Sequence, residues 1–177
     1  MRKRKFSEGL FDIKPIVNAL KISSGQTILD AGCGNGYMAK AFSKLVGNKG
    51  KVYAIDLENH LVDDLARETR GTNIVPFAAD ITKNTKLERY SIDLVYLSTV
   101  FHIFSKDQIA GFENEIKKIA KRNAAIAILN IKKKETPFGP PVEKRSSPEE
   151  LIDQLAFFPD QYVDVDQYFY LQLFKNG

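Results

Sequence analysis

Short apolar runs alternate with longer amphipathic segments along most of the chain. Five short runs, bounded by polar or turn-forming residues, occur at positions 28–29, 51–56, 73–78, 92–97 and 124–131. Each is interpreted as a strand, the first of them as the end of one. Buried parallel strands are apolar almost without interruption, and the fourth run, IDLVYL, is close to that pattern. Strands that alternate with helices predict an α/β fold: a doubly wound, mostly parallel sheet with right-handed crossovers.

The segments between these runs carry apolar residues at helical spacing. Capping boxes at positions 105–108 and 147–150 begin two helices, and Gly47 and Gly71 are expected to end two others. The apolar residues expected on the helices are, in chain order, Ile13, Ile16, Val17 and Leu20; Met38, Ala41, Phe42 and Leu45; Leu61, Val62 and Leu65; Ile109, Phe112, Ile116 and Ile119; and Ile152 and Leu155.

The last part of the chain has a different pattern. Residues 132–146, KKKETPFGPPVEKRS, combine prolines with charges and predict an irregular segment. Apolar residues then alternate at Val163 and Val165, and again at positions 169–173. This period of two predicts an antiparallel pair that closes one edge of the sheet, which gives seven strands in all.

The first apolar run leads directly into a glycine-rich turn. The sequence TILDAGCGNG, residues 27–36, places glycines at positions 32, 34 and 36. Glycine permits a backbone with positive φ or one that passes close to a ligand, and the first amides of the next helix can bind polar groups. A dinucleotide fingerprint would need glycine where the chain has Tyr37, and the ending of a P-loop is absent. Both phosphate-binding interpretations are therefore weakened.

Polar side chains stand at the ends of four predicted strands. Asp30, Asp56, Asp80 and Ser98 lie at or just after the carboxyl ends of strands one to four. Ligands of open α/β sheets bind beyond these ends, so the four residues are expected to share one site. A strand-ending aspartate is commonly only a turn or cap residue, and this alternative applies to each acid taken alone.

Composition narrows the class of protein. At 177 residues the chain has the length of one domain, and residues 1–177 are expected to fold as one. No apolar run approaches the roughly 20 residues of a membrane span. A single cysteine excludes an intramolecular disulfide and a cysteine-built zinc site. We therefore expect no metal and a reducing, cytoplasmic location.

The net charge of +4 arises at one end of the chain. Residues 2–5, Arg-Lys-Arg-Lys, contribute four positive charges, so the remainder is close to neutral. Residues 1–9 are expected to form a flexible basic tail, in preference to a docking segment for RNA or an acidic surface. A nucleic-acid partner is therefore not expected, and the oligomeric state is left open.

These segments, taken in order, resemble a known family. The acid-x-Gly-x-Gly-x-Gly turn in ILDAGCGNG is similar to the first motif of class I S-adenosylmethionine-dependent methyltransferases. The order ILDAGCGNG, VYAIDLEN, FAADI, IDLVYLSTVFHIF and KKKETPFGPP resembles the small members grouped with ubiquinone and menaquinone biosynthesis. The resemblance covers about residues 22–158. It implies a Rossmann-like fold and S-adenosylmethionine as cofactor, with S-adenosylhomocysteine as product.

The resemblance also assigns roles at the cofactor. The glycine turn would pack against the methionine part, with Asp30 near its amino group. Asp56 would accept hydrogen bonds from both ribose hydroxyls, because a carboxylate offers two acceptors to a vicinal diol. Asp80 would accept from the adenine amine. The full set of cofactor residues expected on this basis is Asp30, Gly32, Cys33, Gly34, Asn35, Gly36, Asp56, Leu57, Asp80, Ile81 and Ser98.

Two groups of residues are candidates for the acceptor side. His102 follows the fourth strand in STVFHIF, where related enzymes often place a histidine facing the transferred methyl group. It could orient a substrate or take up a proton, and packing among its apolar neighbours is the alternative. Phe138, Lys134 and Arg145 are candidate substrate residues, although a solvated charged surface is the simpler explanation of the two cations.

The sequence therefore predicts an S-adenosylmethionine-dependent methyltransferase that acts on a small molecule. Methyl transfer is an in-line displacement in which the protein mainly aligns the reactants and excludes water. One alternative is a catalytically silent cofactor-binding protein, or a subunit whose partner completes the site. Another is methylation of a protein or RNA, with the basic tail aiding docking. The sequence STVF, in place of Asn/Asp-Pro-Pro-aromatic, argues against amino-methylation of nucleic-acid bases.

Overall fold

The computed structural model describes residues 8–177, and residues 1–7, most of the predicted basic tail, lie outside this range. Within residues 8–177 the strands are β1 (Thr27–Ala31), β2 (Lys51–Asp56), β3 (Ile74–Ala78), β4 (Ile92–Ser98), β5 (Ala120–Ile131), β6 (Phe158–Asp164) and β7 (Phe169–Lys175). The α-helices are α1 (Lys14–Leu20), α2 (Tyr37–Val46), α3 (Asn59–Glu68), α4 (Lys106–Ile119) and α5 (Pro148–Gln154). Short 3-10 turns occur at Phe101–Ile103 and Val142–Lys144.

The strands form one sheet in the order β3-β2-β1-β4-β5-β7-β6. Neighbours among β1 to β5 run parallel, whereas β7 is antiparallel to both β5 and β6. The predicted doubly wound, Rossmann-like sheet of seven strands is therefore confirmed, and the antiparallel pair closes one edge. The strand order reverses between β1 and β4, which creates a crevice at their carboxyl ends.

Apolar side chains on the two faces of the sheet form two core layers. On one face α1, α2 and α3 cover the strands, with Phe42 and Val62 among the buried residues. On the other face α4 and α5 do so through Phe112 and Leu151. β4 is buried on both faces because helices cover it on both sides. This explains why its sequence is nearly continuous in apolar residues.

Single residues on two predicted helix faces lie outside the buried row, although Met38, Phe42 and Leu155 are buried as predicted. On α2 the buried row includes Phe42 and Val46, whereas the predicted Leu45 is 39% exposed. The i, i+4 row of this helix faces the sheet, and Leu45 lies beside that row. On α5 the fully buried residue is Leu151, and the predicted Ile152 is only half-buried.

Two element ends also differ from the predictions. α3 ends at Glu68, and Thr69 caps it: the amide and the hydroxyl of Thr69 donate to the Leu65 carbonyl, at 2.9 and 2.7 Å. The predicted Gly71 lies in the turn that follows. β5 begins at Ala120, ahead of the predicted start, and its pairing with β4 is interrupted by a bulge.

Helix α4 contacts the loop that connects β3 to β4 and that carries Asp80. Its Glu115 carboxylate accepts hydrogen bonds from the amide and the hydroxyl of Thr85. One turn earlier, Gly111 packs so closely that a Cβ atom there would lie 2.2 Å from the Thr82 carbonyl oxygen. The glycine thus lets the helix approach the backbone of the loop that carries Asp80.

Gly111→Ala is expected to destabilise the protein, although alanine is ordinarily the better helix former by about 1 kcal/mol. The added methyl group would collide with the Thr82 backbone, which cannot move aside by changing a rotamer. We expect the free energy of unfolding to fall by about 1–3 kcal/mol, measured by urea titration. Ala110→Gly, at the neighbouring exposed position, is the control and should cost about 1 kcal/mol. A stabilised Gly111→Ala protein would contradict the close packing.

Candidate functional site

A cavity of about 550 Å³ opens at the carboxyl ends of β1, β2 and β4. It lies where the strand order reverses, as expected for a doubly wound sheet. Ten of the eleven predicted cofactor residues line it, namely Asp30, Gly32, Cys33, Gly34, Asn35, Asp56, Leu57, Asp80, Ile81 and Ser98. The fold thus brings together the ends of four strands that are far apart in the sequence.

The glycine turn has the left-handed backbone that its sequence predicts. Gly32, Gly34 and Gly36 have φ values of 74°, 54° and 73°. A Cβ atom at Gly32 would lie 2.6 Å from a methyl group of Val100, and one at Gly36 would lie 2.4 Å from Leu65. Gly36, the eleventh predicted residue, does not line the cavity; it precedes α2 and lets this helix approach α3.

Hydrogen bonds tie the turn to the end of β2. The Gly32 amide donates to the Ile55 carbonyl at 2.8 Å, and the Gly34 amide donates to Asp56 Oδ2 at 3.0 Å. The other oxygen of Asp56 accepts from the Glu58 amide, also at 3.0 Å. Each carboxylate oxygen has a second lone pair, so Asp56 can still accept two hydrogen bonds from a ligand.

Asp30 is a buried acid at the end of β1. Burial raises its pKa to about 7, a backbone hydrogen bond from Ala39 opposes the shift, and the charge of Asp56 adds to it. Its Oδ2 atom has no hydrogen-bond partner among the described residues. The carboxyl group is therefore partly protonated near neutral pH. Burial also raises the pKa of the Cys33 thiol above its usual range, so this thiol is neutral.

Asp80 lines the cavity from the loop after β3. Its Oδ1 atom accepts from the amide and the hydroxyl of Thr82 at 2.9 and 2.7 Å, and Lys83 Nζ lies 3.4 Å from Oδ2. Partial burial acts to raise the pKa of Asp80, but these bonds and the charge of Lys83 outweigh it and lower the pKa. The group is therefore a carboxylate near neutral pH. Leu57, which is exposed, and Ile81, which is buried, add apolar surface to the cavity.

Asn35 links the glycine turn to the beginning of the described chain. Its side-chain amide donates to Glu8 at 2.8 Å, and its carbonyl oxygen accepts from the Tyr37 amide at 3.2 Å. Residues 8–9, which belong to the predicted tail, form a turn here. Because Asn35 lines the cavity, this end of the predicted tail lies beside the cavity wall.

His102 lies in the 3-10 turn after β4 and lines the cavity with Val100 and Phe104. The side chain is half-buried, and burial lowers its pKa; the positive charges of Arg145 and Lys144 lower it further. His102 is therefore neutral at neutral pH and can accept a proton.

The three candidate substrate residues do not line this cavity. Arg145 is buried, and its guanidinium group donates to four backbone carbonyls, those of Lys132, Lys134, Phe138 and Pro140. The Phe138 ring stacks on Phe169, with 5.7 Å between centroids, and Lys134 is exposed. Arg145 therefore holds the irregular segment together. Its guanidinium group, which was predicted to bind a substrate, donates its hydrogen bonds to these four carbonyl oxygens instead.

Ten residues of the cavity wall were not among the predicted site residues. The residues concerned are Met38, Ile55, Glu58, Leu61, Ala79, Thr99, Val100, Ile103, Phe104 and Gln108. Val100 and Phe104 could have been found, because they follow β4 where the strand-end rule places ligands. Thr99 has a left-handed backbone, with φ of 54°, which is a feature of many functional sites that residue type does not reveal.

Residues 8–177 contain neither a cluster of side chains suited to a metal ion nor a helix suited to a membrane. In this range no group of three or more His, Cys, Asp or Glu side chains could hold a metal ion. None of its helices has both the length and the apolar composition needed to cross a membrane.

Asp30→Asn is expected to stabilise the unliganded protein at about pH 8 and to change it little at about pH 4. The folded-state pKa of Asp30 lies above the unfolded value, so the free energy of unfolding falls as the pH rises from about 4 to about 7. A shift of about three units sets an upper limit of about 4 kcal/mol on the gain. Thermal unfolding at both pH values measures it, with Asp63→Asn, exposed on α3, as control. A variant that keeps the wild-type pH dependence would contradict this role of burial.

Residues 28–123, more than half of the chain, match the family described as a methyltransferase domain. The chain is 31% identical over 114 residues to a probable cobalt-precorrin-6B C(15)-methyltransferase (decarboxylating) of Saccharolobus solfataricus, covering 64% of this chain and 52% of that protein. It is 50% identical over 48 residues to a protein-L-isoaspartate O-methyltransferase of Methanococcoides burtonii, covering 27% of this chain and 23% of that protein. The chain thus spans about half the length of the first of these relatives and less of the second.

Two solved structures share the fold over most of the chain. A SAM-dependent methyltransferase from Aquifex aeolicus is 28% identical with a TM-score of 0.82, over 97% of this chain and 93% of that one. A putative type 11 methyltransferase from Sulfolobus solfataricus is 20% identical with a TM-score of 0.73, over 91% and 89%. Together with the family match over residues 28–123, these similarities confirm the predicted family and cofactor. The chain belongs to the class I S-adenosylmethionine-dependent methyltransferases.

Proposed function

We propose that this chain transfers the methyl group of S-adenosylmethionine to a small-molecule acceptor that binds beside His102. The observation that carries the proposal is one cavity in which strand-end acids and an apolar wall containing His102 face the same space. Its volume of about 550 Å³ falls within the range of about 300–1,000 Å³ that is typical of small-ligand sites. A cofactor and a compact acceptor suit such a space better than a macromolecular surface does.

The acids of the cavity suit the polar groups of the cofactor. Asp56 keeps two lone pairs for the ribose hydroxyls, while the glycine turn and a neighbouring amide hold the carboxylate in place. Asp80 is ionised and is an acceptor for the adenine amine. Asp30 and the backbone at Ser98 would receive the amino-acid end, and Leu57 would lie against the adenine ring.

The residues around His102 suit the transfer step. S-adenosylmethionine supplies an electrophilic methyl carbon to an acceptor atom that attacks in line with the sulfur. Val100, Ile103 and Phe104 offer apolar surface that aligns the acceptor and keeps water away. The neutral His102 ring accepts the proton that the acceptor atom loses as it forms its bond to carbon. An acceptor whose nucleophilic atom carries a proton would therefore gain most from this arrangement.

The class of acceptor can be tested by measuring S-adenosylhomocysteine formation. The full chain and S-adenosylmethionine are supplied either with the low-mass fraction of a cell extract or with its protein and RNA fraction. We expect product with the low-mass fraction only. Asp56→Ala should form at least about 100-fold less, because it loses two hydrogen bonds between a charged group and the cofactor.

Two results would contradict the proposal. Product with the macromolecular fraction alone would favour methylation of a protein or RNA. Cofactor binding without product from either fraction would favour a silent cofactor-binding protein or a subunit that needs a partner.

His102→Gln is expected to lower kcat for the identified acceptor by about 10²–10⁴-fold and to remove the acidic limb of its pH profile. In the wild type, activity should fall as the pH drops through the lowered pKa of His102, because the protonated ring cannot accept a proton. Lys144→Gln removes one nearby positive charge and should move this limb to higher pH. His60→Asn, on the exposed start of α3, is the control. An unchanged acidic limb in His102→Gln would assign the limb to another group.

A further inference from the structure

Three buried polar atoms on the neighbouring strands β1 and β4 have no hydrogen-bond partner among the described residues. They are Asp30 Oδ2, the Tyr96 hydroxyl and Ser98 Oγ, three of the four such side-chain atoms in the described residues. The side chains of Asp30, Tyr96 and Ser98 are 2%, 0% and 8% exposed. Such atoms are rare in folded proteins, because they lose water on folding without gaining a replacement. Asp30 and Ser98 line the ligand cavity, where a bound ligand can supply the missing partner of the buried carboxylate.

The register of the sheet places the three side chains on one face. Asp30 of β1 is the direct partner of Tyr96 in the parallel pairing with β4. Ser98 lies two residues further along β4, so its side chain points to the same side as that of Tyr96. Burial raises the pKa of Tyr96 above its usual range, and the charge of Asp30 adds to this shift. The Tyr96 hydroxyl is therefore neutral and able to donate.

Packing fixes the tyrosine ring in this place. Phe42 of α2 meets it edge to face, with 5.2 Å between ring centroids and an interplanar angle of 80°. Asp30 and Ser98 line the cavity, whereas Tyr96 does not. The Tyr96 hydroxyl therefore stands behind the two cavity residues and cannot turn towards solvent.

We propose that Tyr96 is a positioning residue for the cofactor: its hydroxyl, with that of Ser98, orients Asp30 to receive the ammonium group at the amino-acid end. A carboxylate that pairs with an ammonium group is ionised, and hydroxyl donors stabilise this form more than the neutral one. The arrangement thus favours the loaded state. The inference rests on the cofactor orientation given for the proposed function.

Two ligands that differ at the amino-acid end separate this role from a purely structural one. S-adenosylhomocysteine carries the ammonium and carboxylate groups, whereas 5′-methylthioadenosine lacks both. By isothermal titration calorimetry, Tyr96→Phe should bind S-adenosylhomocysteine about tenfold more weakly and 5′-methylthioadenosine within about twofold of the wild type. Tyr53→Phe is the same change in the neighbouring strand β2, away from the cavity lining, and should alter neither affinity.

Thermal unfolding of the unliganded variants completes the test. Removal of an unpaired buried hydroxyl should leave Tyr96→Phe at least as stable as the wild type. Unchanged affinity for S-adenosylhomocysteine, or an equal loss for both ligands, would overturn the inference. If Asp56→Ala loses both ligands while Tyr96→Phe behaves like the wild type, only the role of Tyr96 fails. If the wild type binds neither ligand, the proposed function fails as well.

Discussion

The close passage of the glycine turn over the end of β2 is the constraint on which the site depends. The Gly32 amide reaches the Ile55 carbonyl, and the space at its Cα is filled by Val100 from the loop after β4. Three strand ends therefore meet at one residue that cannot carry a side chain. Because the Gly34 amide also binds Asp56, the carboxylate expected to receive the ribose is one that shapes the turn. Ligand binding and local folding thus depend on the same few bonds.

Two acids at the cavity differ in how far their surroundings stabilise the ionised form. Asp80 has Thr82 and Lys83 beside it, and it remains ionised. Asp30 has only a backbone bond to oppose its burial, and the charge of Asp56 makes its ionisation harder still. A cofactor that carries positive charge would relieve this imbalance, whereas a neutral ligand would not. In the proposed function this positive charge is the ammonium group at the amino-acid end of the cofactor, which would stabilise the ionised form of Asp30.

The sequence predicted most of this architecture because the relevant signals are local. Strand-ending acids and alternate glycines indicate where the strand ends meet, and the family resemblance that they carry extends the expected set, of which ten residues line the cavity. The packing partners of a side chain, in contrast, come from distant parts of the chain and leave no local signal in the sequence. Tyr96 looks like one more apolar residue in a buried strand, and only the register with Asp30 reveals its position. Arg145 looks like a surface cation, because the four carbonyls that hold it are brought together by the folded segment itself.

This contrast also explains why the cofactor can be predicted and the acceptor cannot. In the proposed arrangement, cofactor groups would meet strand ends, whose geometry is common to the whole fold, whereas the acceptor would meet the loop after β4. That loop offers apolar surface and one titratable group, His102, and neither specifies a particular molecule. The segment held by Arg145 lies behind His102, since both residues border a second, very small cavity on that side. The positive charges of Arg145 and Lys144 in this segment lower the pKa of His102, so a change in the segment should alter the protonation of the one titratable group that the proposed acceptor would meet.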